Sequence, residues 1–504
     1  MYFIWYLQNM QGKKTYTPKL IYQVHLDNLV PRDNFYRKLD EALDMNFLYK
    51  ETGPYYGMEG QESIDPVVFF KICLVGYINN INSDRRLIEY CSNCLDVRLF
   101  MRYDIDESLP WHSTISRTRQ LYGEEVFLSL FKKVLSLCVR KGMIRGKRQA
   151  IDSAFVKANA SLDSVIEKEV IEDVQLYCDE LNEGSEFKIT PAKKDDEHKS
   201  TSNSTHYSPT DPDARMSVKP GKATHLNFFG QIAVDDSHHV ITGAMADFAD
   251  KKDSQCLPAI LGQTIENLKE NEISIDQIVA DTGYSSVEAL QFCQKNNIDA
   301  YIPNIGSYKP TRAGFTYDPQ NDRYLCTEGN KAILPFKTIS SDKNGHFRKE
   351  YRSSSATCSS CALKSACIGK NSTKKITDVV GKVFYHQMHE KMQTKYAKFL
   401  SKVRKRTVEP VLGTLINFQN MKRVNSRGIE QASKHVIMAA LCYNLKKYMK
   451  FIQRKVNTRA MEQSIFATNA FNCLEKWIYM ELKYILARRV PEQTINVNLG
   501  LNLQ

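Results

Sequence analysis

Apolar residues recur every three or four positions along the first part of the chain, as far as Arg140. This spacing is typical of amphipathic helices, since residues three and four apart share one helix face. Asp65 stands directly before Pro66, and both residues favour a helix start at that point. The clearest helical segments are Pro66–Asn80, Asp84–Cys94 and Glu124–Cys138. We therefore expect a helical domain at 18–140, preceded by an irregular lead-in at 1–17.

The segment Leu109–Arg119 lies between two of these helices and combines a Ser/Thr-rich turn with a basic helix. A short helix pair with bases on its second helix fits helix-turn-helix DNA binding. The same pattern also fits a plain helical bundle. Under the first interpretation, Arg117 and Arg119 are the candidate DNA contacts.

From Gln149 onward, short β-type runs alternate with helical segments. The predicted strands are Gln149–Asp152, Phe229–Val234, Val240–Met245, Ile278–Ala280 and Ala300–Pro303, and the predicted helices are Asp253–Asn267 and Val287–Lys295. This succession predicts a mixed α/β sheet. Its order matches an RNase H-like core, which we place at 141–303. A charged insertion at 162–215 interrupts this core, with a helix expected at Ser164–Leu181.

Acidic residues follow two of the predicted strands. Asp152 ends the strand that comes after the basic run Arg145–Arg148, and Asp281 directly follows Ile278–Ala280. A carboxylate at a strand end beside basic residues suits metal-dependent phosphate chemistry. A single Asp in such a place more often caps a turn, so the prediction depends on an RNase H-like fold placing the two strands side by side.

A third acid, Glu409, lies in the basic helical stretch Val403–Leu412. Pro410 follows it, and proline fits a first helical turn while disfavouring helix at the residue before it. We therefore predict that a helix restarts here, with Glu409 near its start and facing the sheet edge. Glu430 is the alternative third acid.

The region 383–451 is expected to complete the core with helices, the second of them at Arg427–Phe451. An apolar face on this helix, which includes Val436 and Leu441, predicts that it packs on the core. The tail at 452–504 is expected to be weakly structured apart from a helix at Ser464–Arg488.

Positive charge is concentrated in parts of the chain. The net charge is +12, and Ser401–Lys455 holds thirteen Lys and Arg residues against two acids. Clustered basic surface predicts a polyanionic partner, although a solvated basic face has the same composition. Candidate DNA contacts outside the helical domain are Arg145, Lys147, Arg148, Arg404, Lys405, Arg406, Lys422, Arg423 and Arg427.

Apolar runs give no indication of a membrane protein. The longest, Pro66–Ile78, is broken by Lys71 and is too short to span a bilayer. The N-terminus lacks the basic segment that opens a signal peptide, so a cytoplasmic protein is expected. The thirteen cysteines are then expected to be thiols or metal ligands rather than disulfides.

Four cysteines fall in the region 304–382, which is short of long apolar segments. Cys326 stands alone, and Cys358, Cys361 and Cys367 follow with the spacing C-x2-C-x5-C. Together they could form a tetrahedral zinc site that holds a segment with little core of its own. Inert thiols and an iron–sulfur cluster are the alternatives.

Several short motifs together resemble the DDE transposases of bacterial insertion sequences, in particular the insertion-sequence eleven-eighty-two family. The resemblance extends from about residue 20 to about residue 450. The motifs, in order, are Ser83–Leu87, His112–Arg119, Ala150–Ser161, Thr210–Met216, Gln231–Asp235, Ala280–Tyr284, the cysteine insertion, Val408–Gly413, Arg427-Gly428 and Tyr443–Leu445. Each is weak alone, but their common order is specific.

The resemblance implies that Asp152, Asp281 and Glu409 are the acidic triad. Related transposases often place Tyr and Arg before this Glu and Lys after it, whereas this chain has Lys402, Lys405 and Ile416 at those positions. The implied cofactor is a pair of Mg²⁺ or Mn²⁺ ions, with Asp152 bridging both. The implied reaction is cleavage at transposon ends, followed by attack of the freed 3′-hydroxyl on target DNA.

The implied partners are double-stranded DNA at transposon ends and at a target, with a homodimer holding two ends in the bacterial nucleoid. Two other functions remain open at this point. One is a catalytically inactive or domesticated DNA-binding homologue. The other is an RNase H-like nuclease without strand transfer.

Overall fold

A computed structural model describes residues 21, 25–57, 59, 63–168, 202–218, 223–306, 308, 312–341 and 347–489. The chain divides into two compact units, Met1–Leu445 and Lys446–Gln504. The predicted lead-in and most of the predicted helix Ser164–Leu181 lie outside the described residues. None of the helices in the described part combines the length and apolar character that a bilayer crossing needs.

The first described part of the chain is helical, in agreement with its apolar spacing. Asp65 caps the most deeply buried of these helices, since its side chain accepts hydrogen bonds from the amides of Val67 at 2.7 Å and Val68 at 3.1 Å. The helices are α1 (Leu26–Leu29), α2 (Phe35–Ala42), α3 (Phe47–Thr52), α4 (Pro66–Ile78), α5 (Asp84–Asn93), α6 (Leu95–Met101), α7 (His112–Leu121) and α8 (Glu124–Arg140).

A mixed sheet follows, with α9 (Asp253–Lys269) and α10 (Val287–Lys295). The strands of this region are β1 (Arg148–Lys157), β2 (Ile166–Glu167), β3 (His206–Tyr207), β4 (Arg215–Ser217), β5 (His225–Asp235), β6 (Ile241–Phe248), β7 (Gln277–Val279) and β8 (Asp299–Tyr301). The strand order of the sheet is β6–β5–β1–β7–β8, with β4 also paired to β5. The first three of these strands are antiparallel, whereas β1, β7 and β8 run parallel.

The predicted helix starting at Ser164 is wrong in its described part. Leu162–Ser164 form a single 3-10 turn, and Ile166–Glu167 form β2, which pairs with β3. The acidic composition of this segment resembles that of an exposed helix, but pairing with a distant strand determines its conformation.

The cysteine-containing region forms its own antiparallel sheet in the order β13–β12–β11–β10–β9. The prediction that this segment has little core is wrong. Phe315, Tyr317, Tyr324, Leu334, Tyr351 and Ile376 form a buried cluster. Its elements are β9 (Phe315–Asp318), β10 (Arg323–Cys326), β11 (Ile333–Ser341), β12 (Phe347–Arg352), α11 (Ser355–Ser359), α12 (Lys364–Cys367) and β13 (Lys375–Val379).

Polar groups inside this small sheet are paired. Tyr351 donates a hydrogen bond to Asp322 at 2.6 Å, and Lys382, whose side chain is fully buried, donates to Asp378 at 2.5 Å. Tyrosine can supply core area when its hydroxyl has a partner. This explains how a region without long apolar runs builds a core.

Three helices complete the described chain, namely α13 (Lys382–Gln393), α14 (Lys395–Phe418) and α15 (Ile429–Arg489). The predicted helix restart at Glu409 is wrong, because α14 passes through Pro410 without a break. Arg406 and Pro410 both lie on the exposed side of α14, so water can hydrate the carbonyl that proline leaves without a donor. The weak structure expected after residue 451 is also wrong as far as Arg489, since α15 continues to that residue.

A buried histidine joins α4, α15 and the segment between α14 and α15. His435 Nε2 donates to the carbonyl of Asn420 at 2.8 Å, because a carbonyl can only accept. In the neutral ring that burial favours, Nδ1 accepts from the hydroxyl of Tyr77 at 2.6 Å. Burial lowers the pKa of His435 from 6.5 to about 4.

We expect this histidine to make folding stability depend on pH. Since its pKa is lower in the folded than in the unfolded chain, its contribution is complete above pH 6.5 and is lost as pH falls toward about 4. One pKa unit corresponds to 1.36 kcal/mol, so the loss should be about 3 kcal/mol. Urea unfolding between pH 7 and pH 4 measures it. His435→Gln retains a donor and an acceptor but does not titrate, so its slope should be smaller; equal slopes would contradict the assignment.

Candidate active site and cysteine cavity

Asp152 lies on β1 and points to the face of the sheet that α14 covers. Its Oδ1 accepts a hydrogen bond from the Ser153 amide at 2.8 Å, and its Oδ2 accepts one from Arg404 at 2.8 Å. Burial raises the pKa of Asp152, and the nearby charge of Asp281 raises it further, while the Ser153 amide and Arg404 lower it. A half-buried carboxylate of this kind gains from any cation that approaches it.

Asp281 lies beside Asp152 because of the strand register. Ala150 on β1 pairs with Val279 on the parallel strand β7, and each aspartate lies two residues beyond its member of that pair. Neighbouring strands are about 4.8 Å apart, so the two backbones bring the side chains of Asp152 and Asp281 close to each other. Asp281 also accepts a hydrogen bond from the Gly283 amide at 2.8 Å, which fixes the turn that follows β7.

Glu409 is linked to Asp152 through Arg404. The guanidinium of Arg404 donates from Nη1 to Asp152 and from Nη2 to Glu409 Oε1, the latter at 3.4 Å. Arg404 and Glu409 both lie on α14, which packs against β1. Glu409 is the more exposed acid, with 53% of its side chain accessible, against 16% for Asp152. The alternative acid Glu430 instead pairs with Lys434 at 2.8 Å.

The three acids suit a hard divalent cation in their chemistry, because Mg²⁺ and Mn²⁺ prefer carboxylate oxygens. The guanidinium of Arg404 already contacts two of these acids, Asp152 and Glu409. As the side chains stand, however, no three His, Cys, Asp or Glu residues in the described part of the chain are close enough to share an ion.

A fourth acid, which the sequence did not indicate, lies on the opposite face of the sheet. Asp253, in the first turn of α9, accepts a hydrogen bond from Ser153 Oγ at 2.6 Å. A Cβ on Gly283 would lie 2.7 Å from Asp253 Oδ2 and 3.1 Å from Asp281 Oδ1. Gly283 therefore allows the turn bearing Asp281 to approach Asp253 closely.

Buried polar groups support the same turn. Tyr284 is fully buried and donates to Gln231 on β5 at 2.8 Å. Burial raises the pKa of Tyr284 well above its usual value of 10, and the charge of Asp253 adds to this. The tyrosine therefore stays neutral and anchors the turn to the centre of the sheet. Its place in the motif Ala280–Tyr284 could have indicated this role.

The four cysteines of the small sheet line one cavity of about 320 Å³. The Cys326 thiol donates to the Glu328 carbonyl at 2.8 Å, and the Cys358 thiol donates to Ser353 Oγ at 3.0 Å. A Cβ on Gly329 would lie 2.5 Å from Cys361 Sγ, so the turn there approaches the thiol closely. The cavity brings together Cys326, Cys358, Cys361 and Cys367, although not within the distance that a shared ion requires.

Most of the candidate DNA contacts are exposed. These are Arg117, Arg145, Lys147, Lys405, Arg406, Lys422, Arg423 and Arg427. Three others have partners within the protein. Arg119 is buried and forms a bidentate pair with Asp84 at 2.7 and 2.9 Å, Arg148 pairs with Asp236 at 2.5 Å, and Arg404 contacts the acids. In the protein without DNA these three arginines therefore contact acids of the chain, and their phosphate contacts stay predictions.

Arg117 and Arg119 should therefore respond differently to substitution. Arg119→Ala leaves the largely buried Asp84 without its partner, so we expect a loss of about 3–5 kcal/mol in unfolding free energy. Arg117→Ala, at an exposed position of the same helix, should change stability by no more than about 0.5 kcal/mol. Urea unfolding of the two variants measures the contrast. Equal stabilities would show that the Arg119–Asp84 pair contributes little.

Comparison with known proteins identifies two matching stretches. The family model described as "Transposase domain (DUF772)" matches residues 24–121, and the one described as "Transposase DDE domain" matches residues 325–449. The second stretch contains Glu409 and all four cysteines of the cavity but not the two aspartates. A search of curated proteins gave no match.

Three solved structures are similar over part of their length. One is a piggyBac transposase synaptic complex with hairpin DNA, 10% identical, with 83% of this chain and 73% of that chain aligned at a TM-score of 0.32. A Mos1 transposase paired-end complex with the left transposon end is 11% identical, with 53% of this chain and 70% of that chain aligned at a TM-score of 0.15. A pre-cleavage Mos1 transpososome is 10% identical, with 53% of this chain and 71% of that chain aligned at a TM-score of 0.15. Superpositions this loose add nothing to the assignment.

The two family matches lie in the order that the sequence motifs predicted, the helical domain first and the acidic helix later. They span helices α1–α7 and the part of the chain from the end of β10 into α15. Residues 24–121 thus match a transposase domain and residues 325–449 match a transposase DDE domain, and the two matches together support a DDE transposase.

Proposed function

We propose that this chain is the transposase of a bacterial insertion sequence, of the eleven-eighty-two family, and that it cleaves and joins DNA with Asp152, Asp281 and Glu409. The observation that carries the proposal is the position of Asp152, inside β1, beside Asp281, which lies just past the end of β7. The strand order β6–β5–β1–β7–β8 supports an RNase H-like core. Glu409 approaches the same place from α14.

The carboxylates would hold Mg²⁺ or Mn²⁺ through oxygen atoms alone. Two such ions, when bound, activate the attacking oxygen and neutralise charge on the phosphate and on the leaving oxygen. Asp152 neighbours Asp281 across the β1–β7 pair and shares Arg404 with Glu409, so it would contact both ions. Asp281 would be a ligand of one ion, and Glu409 would be a ligand of the other. The Tyr284–Gln231 hydrogen bond would keep Asp281 in place during the reaction.

The basic surface would supply the DNA affinity. Lys405 and Arg406 are exposed on α14 near Glu409, and Lys422, Arg423 and Arg427 are exposed between α14 and α15. Each phosphate contact releases counterions, so binding should weaken steeply as salt rises. Arg117 would extend this surface onto the helical domain. A dimer is the smallest assembly that can hold two transposon ends.

Incubation of the full chain with its element's end DNA, a supercoiled target plasmid and Mg²⁺ tests this function. End DNA joined to the plasmid is the expected product. Nicks without joining would indicate the alternative nuclease, and a gel shift without cleavage would indicate an inactive DNA-binding homologue. The paired aspartates favour the transposase, since a DNA-binding protein has no need to keep them together.

We also propose that the cysteine cavity holds a structural Zn²⁺ ion. Four thiolates are a common ligand set for zinc in structural sites. Cys326 is the last residue of β10, whereas the other three lie in and around α11 and α12, so an ion would join two separate segments. The thiol protons now donated to Glu328 and Ser353 would be lost on binding.

A further inference from the structure

Arg404 is unusual among the basic residues of α14 because it faces inward. Only 12% of its side chain is accessible, whereas Lys402, Lys405 and Arg406 on the same helix are exposed. Its guanidinium contacts Asp152 at 2.8 Å and Glu409 at 3.4 Å. A phosphate-binding arginine in a protein without DNA would be expected to face solvent instead.

The contacts of Arg404 use the same oxygen atoms that a metal ion would need. Asp152 Oδ1 is already hydrogen-bonded to the Ser153 amide, so Oδ2 is the oxygen best placed for a cation, and Arg404 donates to it. Glu409 Oε1 accepts from the other end of the same guanidinium. A divalent ion between Asp152 and Glu409 would meet both steric overlap and repulsion from this positive charge.

We propose that Arg404 is a resident counter-cation that occupies the Asp152–Glu409 pair until a DNA phosphate draws it away, so that DNA and divalent metal bind cooperatively. This inference rests on the proposed function, since it takes the two acids as metal ligands. The acids of the free protein then keep a charged partner, which spares Asp152 the cost of a buried unpaired charge.

A DNA phosphate is a suitable competitor for Arg404. Guanidinium and phosphate form bidentate hydrogen bonds of good geometry, whereas the contact to Glu409 is long at 3.4 Å. When Arg404 turns to a phosphate, Asp152, Asp281 and Glu409 are left with three negative charges and free oxygens. Coupling of two binding events is reciprocal, so metal should also favour DNA binding to the same degree.

A fixed structural role for Arg404 gives different expectations. If the guanidinium only holds α14 against β1, its removal should loosen the acids and weaken metal binding. Under the counter-cation role its removal should strengthen metal binding in the free protein. Metal affinity without DNA therefore separates the two roles by its direction of change.

The test measures Mn²⁺ binding to the full chain by electron paramagnetic resonance, with and without a generic blunt-ended DNA duplex at low salt. In the natural protein, DNA should tighten Mn²⁺ binding. Arg404→Gln should bind Mn²⁺ roughly tenfold more tightly than the natural protein without DNA and gain little when DNA is added. Lys402→Gln is the matched control, since it removes an exposed charge of the same helix two residues away; its Mn²⁺ affinity without DNA should stay near that of the natural protein.

Arg404→Lys provides a second variant that keeps the charge but offers one compact donor group instead of two. It should bind Mn²⁺ with an affinity between those of the natural protein and Arg404→Gln. If circular dichroism shows that Arg404→Gln is unfolded, Arg404→Lys takes its place in the test. Equal or weaker Mn²⁺ binding in the folded Arg404 variants would overturn the inference. Unchanged Mn²⁺ binding in Asp152→Asn would instead remove the acids as ligands and so refute the proposed function itself.

Discussion

Asp152→Asn should abolish DNA cleavage while leaving DNA binding nearly unchanged. Asparagine keeps the size of the side chain and the oxygen that accepts from the Ser153 amide, but it removes the negative charge that a bridging ligand requires. Metal ions contribute several kcal/mol of transition-state stabilisation, and each 1.4 kcal/mol is a factor of ten, so the rate should fall at least about a thousandfold. Single-turnover cleavage of labelled end DNA measures this effect.

Asp281→Asn should lose cleavage to a similar extent, because the register of β1 and β7 places the two aspartates next to each other. Glu409→Gln and Glu430→Gln form a matched pair on helices α14 and α15. Only the first should lose activity, since Glu430 is engaged by Lys434 rather than by Arg404. Cleavage that survives in Asp281→Asn, or that is lost in Glu430→Gln, would show that the triad has been assigned incorrectly. Equal salt dependence of DNA binding in all four variants is the control.

The order of elements in the central sheet could be predicted because its signals are local, but the predicted strand end at Asp152 is wrong, since β1 continues to Lys157. The strands around Asp152 and Asp281 carry dense β-branched and apolar residues, and the helices between them show three- and four-residue spacing. The predicted α10, Val287–Lys295, agrees with the structure at both ends. Parallel pairing of β1 with β7 could then be expected from the fold that this order of elements matches.

The partners of Arg404 could not be predicted, because they depend on contacts between distant residues. Arg404 lies 252 residues from Asp152 in the chain, and nothing in the basic stretch around it distinguishes the base that faces inward from those that face solvent. The same holds for Arg119, whose contact with Asp84 could not be foreseen from its position on a basic helix. A basic residue predicts a DNA-binding surface only when its exposure to solvent is known.

Asp253 and the small sheet were missed for a different reason. Asp253 follows a stretch of charged residues and has the composition of a surface turn, yet the close approach at Gly283 brings it beside Asp281. The strands of the small sheet are short, and tyrosines rather than aliphatic residues form much of their core. The pattern of apolar residues indicates neither the position of Asp253 nor the small sheet, because both depend on hydrogen bonds between polar groups that form only on folding.

Removal of zinc should have the second large effect, and it should be confined to the small sheet. Structural zinc sites bind with about 10–16 kcal/mol, and that free energy contributes directly to folding. The protein purified without chelator should contain one zinc ion per chain by inductively coupled plasma mass spectrometry. A strong chelator should then raise hydrogen exchange in β9–β13, while the tyrosine cluster and the Lys382–Asp378 pair retain part of the sheet.

Cys361→Ser should weaken zinc binding by more than about a hundredfold, since even the loss of a residue that only supports a ligand costs 10–100-fold. Cys94→Ser is the matched control, because Cys94 is also partly exposed but lies at the start of α6, outside the cavity. Iron with visible absorbance in place of zinc would support the cluster alternative. No bound metal, with equal hydrogen exchange in both variants, would mean that the four cysteines are inert thiols and that the buried tyrosines alone hold this sheet together.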